Sequence, residues 1–158
     1  MKIAIHAVGR MKAGAEKELC DRFLDRLAKA GPSLGFEFAG VTEVVESRLA
    51  TVEDRRRDEG ARLQQRERGA LILLDERGRN IGSTEFAKRL ARFRDDGVRE
   101  AVFAVGGPDG HDPALRDGAD FLWSFGALTW PHQLVRIMLA EQLYRAVTIL
   151  SGHPYHRE

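Results

Sequence analysis

Short apolar runs alternate along this chain with longer stretches of helical periodicity, and this alternation limits the folds that the chain can adopt. The short runs predict strands at residues 2–8, 36–45, 70–74, 101–105 and 121–125. The other stretches predict helices at residues 15–30, at 51–68, from residue 83 onward, and at 133–150. Strands separated by helices of this length pair in parallel, so the sequence predicts an α/β fold, a parallel sheet flanked by helices. We expect the whole chain, residues 1–158, to form a single domain.

Local signals refine this prediction. Thr51, followed three residues later by Asp54, and Ser83 are both suited to cap a helix N-terminus. Cys20 is the chain's only cysteine and falls on the apolar stripe of the first helix, so we expect an inert core thiol and no internal disulfide. No secretion signal and no apolar run of membrane-spanning length is found, so we expect a cytoplasmic protein that does not enter a membrane.

The charge balance argues against a strongly basic nucleic-acid-binding protein. The net charge is only +1, from 25 basic and 24 acidic residues. Because phosphate neutralisation supplies much of the affinity for nucleic acids, this chain would bind RNA through a local patch or as part of a composite surface. The charged segment 53–68 is either a solvated helix or a helix whose Arg55, Arg56 and Arg57 contact RNA phosphates.

Ligands of open parallel sheets bind at the carboxyl ends of the strands. Three loops would meet at that edge: one after Leu74 and Asp75, one after Val105, and one at residues 125–131. The segment 106–110, Gly-Gly-Pro-Asp-Gly, lacks the spacing of a dinucleotide fingerprint and has no P-loop lysine. Its paired glycines suit either a tight turn or a close approach of the backbone to a flat ligand. The last loop suits either a plain connection or the enclosure of an adenine by backbone N–H and C=O groups.

Polar side chains cluster near the C-terminus, namely His153, Tyr155, His156 and Arg157. Besides a functional role, this segment is consistent with a disordered end or with a metal site of His153 and His156, with or without His132. No Cys or acidic third ligand lies in the segment, which is a poor match to zinc sites, and we expect no metal. His132 suits either a capping or packing role or a contact with ligand or substrate.

The predicted helix at 133–150 is apolar nearly all round, which indicates burial on several faces. Its natural partners are its own sheet and a second copy of the chain, related by a two-fold axis. Arg136, Glu141 and Arg145 lie on this helix, and we expect them to form salt bridges at or near that interface.

Four segments in order carry a family resemblance: Gly-Gly-Pro-Asp-Gly at 106–110, Ala-Leu-Thr-Trp-Pro-His at 127–132, Glu-Gln-Leu-Tyr-Arg-Ala at 141–146 and Pro-Tyr-His-Arg at 154–157. Together they resemble the ribosomal RNA large subunit methyltransferase H family, which belongs to the knotted SPOUT methyltransferases. The resemblance extends over essentially the whole chain, since Ala7-Val8-Gly9 and Leu74-Asp75 also match. It implies a C-terminal trefoil knot, which periodicity and spacing do not reveal.

The resemblance also implies S-adenosylmethionine as cofactor. The residues implied to bind it are Leu74, Gly106, Gly107, Phe125, Gly126, Ala127, Leu128, Thr129 and Trp130. The chain departs from the commoner family pattern at Asp109, Phe125, Gly126 and Trp130. Backbone contacts tolerate such changes, whereas the detailed shape of the pocket depends on them.

The implied reaction is methylation of N3 of a pseudouridine in the helix 69 stem-loop of 23S ribosomal RNA, on the assembled ribosome. The family is dimeric, and Tyr155, His156 and Arg157 are implied to build the catalytic surface across the dimer. We expect His156 to accept the imide proton and Arg157 to favour the anion or hold a phosphate. Tyr155 would stack on the base or hydrogen-bond to it, and His132 and Arg157 would contact the substrate.

Two other classes of protein compete with this interpretation. One is a non-catalytic ribosome-binding or RNA-binding module that kept the fold. The other is a metal-dependent hydrolase that uses the histidines. Neither accounts for both the glycine-containing loops and the C-terminal cluster.

Overall fold

The computed structural model describes residues 1–64 and 69–156. Its strands are β1 (Lys2–Val8), β2 (Glu37–Val44), β3 (Ala70–Asn80), β4 (Glu100–Val105) and β5 (Phe121–Ser124). Its helices are α1 (Ala15–Ala30), α2 (Val52–Leu63), α3 (Ser83–Asp95), α4 (Pro113–Asp117) and α5 (His132–Leu150), with a 3₁₀ turn at Pro32–Leu34. The predicted alternation of strands and helices is confirmed in these parts of the chain.

The five described strands form one sheet in the order β2-β1-β4-β3-β5, and each of its pairings is parallel. The predicted α/β fold is therefore confirmed, whereas the knot stays a prediction. In the register of the sheet, Val105 of β4 lies beside Ala7 of β1 on one side and beside Leu74 of β3 on the other. The three interior strands thus reach the same edge of the sheet at the same level.

Side chains of the interior strands alternate between two cores. On one face Ile72 and Phe103 are buried with α1, α3 and α5. On the other face Leu73 and Val102 are buried with Leu63 of α2 and with α4. Because both faces are covered, the strands have the nearly continuous apolar sequences that buried parallel strands require.

Strand β3 is longer than predicted, continuing past Leu74 to Asn80. Its register with β5 shifts within this extension, so that Leu74 and Arg79 both lie opposite Trp123. A Cβ on Gly78 would come within 2.6 Å of the main chain of Leu122, so the backbones approach closely only because this residue is glycine. The extension is charged and lacks apolar alternation, so the sequence pattern did not indicate a strand there.

One of the two predicted helix caps is confirmed. Thr51 Oγ1 accepts a hydrogen bond from the Asp54 N–H at 3.1 Å and so caps α2. The prediction for Ser83 is wrong: Gly82 occupies the N-cap position, and the Ser83 hydroxyl donates to the side-chain oxygen of Gln142 at 2.8 Å. The end of the predicted 51–68 helix lies outside the described residues, since α2 ends at Leu63 and residues 65–68 are not among them.

Helix α5 packs on α1 and α3 through residues that include Leu139, Ala140 and Leu143. The predicted salt bridges are present within the chain: Arg136 binds Glu43 at 2.7 Å, and Arg145 binds Glu141 at 2.5 Å. Cys20 is buried on this side of the sheet, and burial raises the pKa of its thiol, as expected of an unreactive core cysteine. Among the described helices, none is both long and apolar enough to cross a membrane.

Candidate functional site

A cavity of about 730 Å³ opens at the carboxyl edge of the sheet. It is lined by residues 74–77 of β3, by the loops that follow β4 and β5, and by the first turn of α5. Eight of the residues predicted to bind the cofactor line it, namely Leu74, Gly106, Gly107, Phe125, Gly126, Leu128, Thr129 and Trp130. Ala127 lies within the last of these loops but is not among the lining residues. Parallel pairing thus brings together loops that are far apart in sequence.

The loop after β4, residues 106–110, is called the glycine loop below. A Cβ on Gly106 would lie 3.2 Å from the ring of His111, and a Cβ on Gly107 would lie 3.0 Å from Val8 Cγ1. Neither Gly106 nor Gly107 has a left-handed backbone. Within this loop that conformation occurs only at Gly110, with φ +78°. Close packing behind the loop, and not an unusual φ, therefore favours glycine at the first two positions. This part of the cavity wall is bare backbone.

Two buried polar side chains, neither identified from the sequence, support the glycine loop from behind. His111 donates from Nε2 to the Leu74 carbonyl at 3.1 Å, and burial lowers the pKa of its ring, which is therefore neutral. Its Nδ1 is consequently a bare acceptor, buried without a partner among the described residues. Glu59 of α2 lies beneath Gly107, since a Cβ there would lie 3.1 Å from Glu59 Oε2. Only its position beside the loop could have drawn attention to His111, and nothing in the sequence indicates Glu59.

The loop after β5 is shaped by a small turn. Gly126 has φ +113°, its N–H donates to Ser124 Oγ at 3.1 Å, and that hydroxyl lies 3.1 Å from the Gly126 carbonyl. Phe125 packs edge-on against the buried Trp123, with 4.8 Å between the ring centroids. Beyond the turn, Leu128 is 68% exposed. The loop therefore combines a fixed base with an apolar side chain that is open to solvent.

His132 is the first residue of α5 and lines the cavity. The capping role considered for it is wrong, because Pro131 is the N-cap residue of this helix and no side chain caps it. A contact between His132 and a ligand or substrate stays a prediction.

The C-terminal segment folds back onto α5 as far as it is described. Tyr155 Oη donates to Glu141 Oε1 at 3.0 Å, and the ring of Tyr155 lies 4.9 Å from that of Tyr144 and 4.8 Å from the Arg145 guanidinium. Arg145 also lies 3.4 Å from His156 Nδ1. The alternative of a disordered end is therefore wrong for residues 153–156, whereas Arg157 lies outside the described residues.

The structure does not bring the C-terminal cluster to the cavity of the same chain. The 19 residues of α5 span about 28 Å at 1.5 Å per residue. His132 begins this helix at the cavity, and the segment that holds Tyr155 and His156 leaves its opposite end. For the same reason His132 and His156 of one chain do not share a metal site. Across residues 1–64 and 69–156, no three His, Cys, Asp or Glu side chains are grouped as metal ligands.

Helix α2 contacts the glycine loop through two adjacent arginines. Arg55 Nε donates to Asp109 Oδ2, and Arg56 Nε donates to the Asp109 carbonyl, both at 2.6 Å. The hydrogen bond from Arg55 holds the pKa of the Asp109 carboxyl below its usual range. The interpretation of α2 as a solvated helix is therefore wrong on this side, although Arg57 is exposed and, within residues 1–64 and 69–156, forms its ion pair with Asp54.

The fold and the site define a class of enzyme. Residues 1–156 match the model of a family described as predicted SPOUT methyltransferase, and the chain belongs to this family. SPOUT methyltransferases use S-adenosylmethionine, so the cofactor predicted from the sequence is confirmed for the class. A solved structure described as a probable methylase family protein from Haemophilus influenzae Rd KW20 shares the fold, with a TM-score of 0.50 and 9% identity over 99% of this chain and 70% of that one.

Two relatives make the comparison more specific. The ribosomal RNA large subunit methyltransferase H of Chelativorans sp. (strain BNC1) is 64% identical, over 100% of this chain and 92% of that protein. The protein of the same name from Mesorhizobium japonicum is 63% identical, over 99% of both. The resemblance inferred from the four sequence segments is thereby confirmed.

We expect Glu59→Gln to change how stability depends on pH. Burial raises the pKa of the Glu59 carboxyl, whose ordinary value is about 4.3. A raised folded-state pKa contributes stability that is fully present below the unfolded pKa and is lost as pH rises through the folded value. Urea unfolding midpoints measured from pH 4 to pH 8 should therefore shift in favour of Glu59→Gln as pH rises.

The matched control for this experiment is Glu53→Gln, an exposed position on the same helix. The difference in urea unfolding midpoint between Glu53→Gln and the wild type should change less with pH. A constant difference between Glu59→Gln and wild type over the whole range would contradict the prediction.

Proposed function

We propose that this protein transfers a methyl group from S-adenosylmethionine to N3 of a pseudouridine in the helix 69 stem-loop of 23S ribosomal RNA, on the assembled ribosome in the cytoplasm. The observation that carries the proposal is the convergence of the glycine loop and the 125–130 loop on one cavity in a SPOUT methyltransferase. The relatives named as ribosomal RNA large subunit methyltransferases support the choice of substrate, since they match the whole chain.

The cavity fits the cofactor in size and in the chemistry of its walls. Its volume of about 730 Å³ lies within the range of roughly 300–1,000 Å³ that holds small ligands. The backbone at Gly106 and Gly107 carries no side chain, so a flat group can approach it closely. The loop at 125–130 offers backbone N–H and C=O groups to the edge of an adenine. The cofactor supplies an electrophilic methyl group on a sulfonium centre.

The remaining chemistry belongs to the nucleobase. An imide N–H attacks well only after it loses its proton, and a positive group nearby favours the anion. In the proposal His156 accepts that proton, Arg157 stabilises the anion or holds a phosphate, and Tyr155 stacks on the base. His132 at the cavity mouth and Arg157 contact the substrate. Precise orientation of base and methyl group would then lower the barrier further.

Because α5 separates the C-terminal segment from the cavity of its own chain, the proposed site takes that segment from a second copy. In the isolated chain the segment is held against α5 by the contacts of Tyr155 with Glu141 and of His156 with Arg145. The segment must release these contacts before His156 acts as a base at the cavity of the second copy.

The cofactor site can be tested with Gly107→Ala. The added Cβ would lie 3.0 Å from Val8 Cγ1 and 3.1 Å from Glu59 Oε2, so the loop or these side chains must shift by a few tenths of an ångström. Calorimetry should show a loss of S-adenosylmethionine affinity of about tenfold or more, as a displaced contact loop implies. Gly82→Ala is the matched control, because no atom lies within 4 Å of its added Cβ. Equal affinity of both variants and the wild type would count against the site.

The substrate can be tested on ribosomes from cells that lack this protein. Mass mapping of their 23S ribosomal RNA should show one methyl group missing from a pseudouridine of helix 69, and the purified protein with S-adenosylmethionine should restore it. We expect intact ribosomes to be methylated faster than the isolated stem-loop, since the near-neutral chain must rely on a composite surface. Unchanged RNA in the deletion strain would refute the substrate assignment.

The shared site can be tested by mixing two impaired variants, at a cofactor concentration low enough that Gly107→Ala alone is nearly inactive. One carries Gly107→Ala, and the other lacks residues 153–158. Random mixed dimers contain one intact cavity beside one intact C-terminal segment, so the mixture should recover about a quarter of wild-type activity. The control is each variant alone at the same total concentration, with dimerisation checked by light scattering. A shared site would be contradicted if mixed dimers form but activity does not recover. Full activity of the truncated variant alone would also contradict it.

A further inference from the structure

Arg55 and Arg56 both bind Asp109, at the tip of the glycine loop, but they bind different parts of it. Arg55 Nε donates to the side-chain carboxylate, and Arg56 Nε donates to the main-chain carbonyl. One residue is thus held at two points by two adjacent residues of α2. Such a double contact fixes the orientation of the loop as well as its position.

The arginine that binds the carboxylate is itself anchored. Arg55 Nη1 donates to the carbonyls of Leu49 and Ala50, at 3.1 and 3.2 Å, in the segment that leads into α2. Its guanidinium therefore bridges the segment before α2 and the glycine loop. Because a guanidinium is planar and always charged, its hydrogen bonds hold these two segments in a fixed position relative to each other.

Helix α2 also contacts the base of the same loop. Glu59 lies one helical turn after Arg55 and packs beneath Gly107. The N–H of Gly110 donates to the Gly107 carbonyl at 3.0 Å, which closes a turn around Pro108 and Asp109. The loop is therefore supported beneath by Glu59 and held at its tip by the arginines, and both supports come from α2.

We propose that Arg55 and Arg56 are positioning residues, which act through Asp109 to hold the glycine loop in the conformation that binds S-adenosylmethionine. This inference rests on the proposed function, in which that loop contacts the cofactor. It assigns the two arginines to the cofactor side of the reaction and not to RNA phosphates.

The ion pair between Arg55 and Asp109 contributes little to the stability of the folded chain. Both side chains of the Arg55–Asp109 ion pair are 26% exposed, and a pair so close to solvent contributes little to the free energy of unfolding. A displacement of the loop by a fraction of an ångström, in contrast, alters every contact that it makes with a ligand. Removing the pair should therefore change cofactor affinity far more than thermal stability.

The test is a charge reversal followed by its compensation. Arg55→Asp and Asp109→Arg should each weaken S-adenosylmethionine binding in calorimetry by about tenfold and raise KM for the cofactor more than they lower kcat. The double variant, Arg55→Asp with Asp109→Arg, should recover most of the affinity. Arg56→Ala should weaken binding in the same direction. Melting temperatures should stay within about 3 °C of wild type.

Arg57 provides the control on the same helix, since it is exposed and its ion pair among the described residues is with Asp54. Arg57→Ala should leave cofactor affinity unchanged, whereas Arg55→Ala should lower it. Wild-type cofactor affinity in Arg55→Asp would overturn the inference, as would a double variant no better than the single ones. So would a loss of ribosome affinity at unchanged cofactor affinity, because Arg55 would then act on RNA.

Gly107→Ala separates a failure of this inference from a failure of the proposed function. If Gly107→Ala weakens cofactor binding and Arg55→Asp does not, only the positioning role is wrong. If neither variant weakens it, the glycine loop is not the cofactor site and both proposals fall together.

Discussion

Parallel hydrogen bonding between β1, β4 and β3 is the constraint on which the rest of this structure depends. It sets Ala7, Val105 and Leu74 side by side, so β1 and β4 end beside the point where β3 passes into its charged extension. Parallel strands need a crossover between them, and the helices that form these crossovers cover both faces. The helices leave the two ends of the strands uncovered, so backbone there can contact a ligand. The cavity lies at the carboxyl ends.

The cavity wall is formed by backbone because the space behind it is already filled. His111 and Glu59 occupy the positions that side chains at 106 and 107 would need. Burying two titratable groups there disfavours their charged forms, which lowers the pKa of the imidazole and raises that of the carboxyl. Burial of these two groups therefore lowers folding stability in a region that a ligand must reach, which is a frequent property of functional sites. Arg55 and its neighbour then fix the tip of the same loop.

Helix α5 holds the two halves of the proposed site apart. Its first residue, His132, lies at the cavity, and its far end carries the segment with Tyr155 and His156. A rigid helix of this length cannot bring its own ends together, so the site proposed above takes its C-terminal segment from a second copy. The exposed Leu128 and Leu134 beside the cavity, 68% and 40% exposed, are available for contact with another molecule.

The sequence alone determined the class of fold, because short apolar runs such as residues 70–74 and 101–105, alternating with helical periods, are typical of strands buried on both faces. It also indicated which loops meet at the cavity, since parallel strands share a carboxyl edge. It missed the extension of β3 to Asn80 and the five-residue α4, whose polar composition or short length leaves no periodic pattern. Only the tertiary structure placed Arg55 on Asp109 and Glu59 beneath Gly107, because such pairs form between segments about 50 residues apart in the chain, and no local pattern records which distant segments packing will bring together.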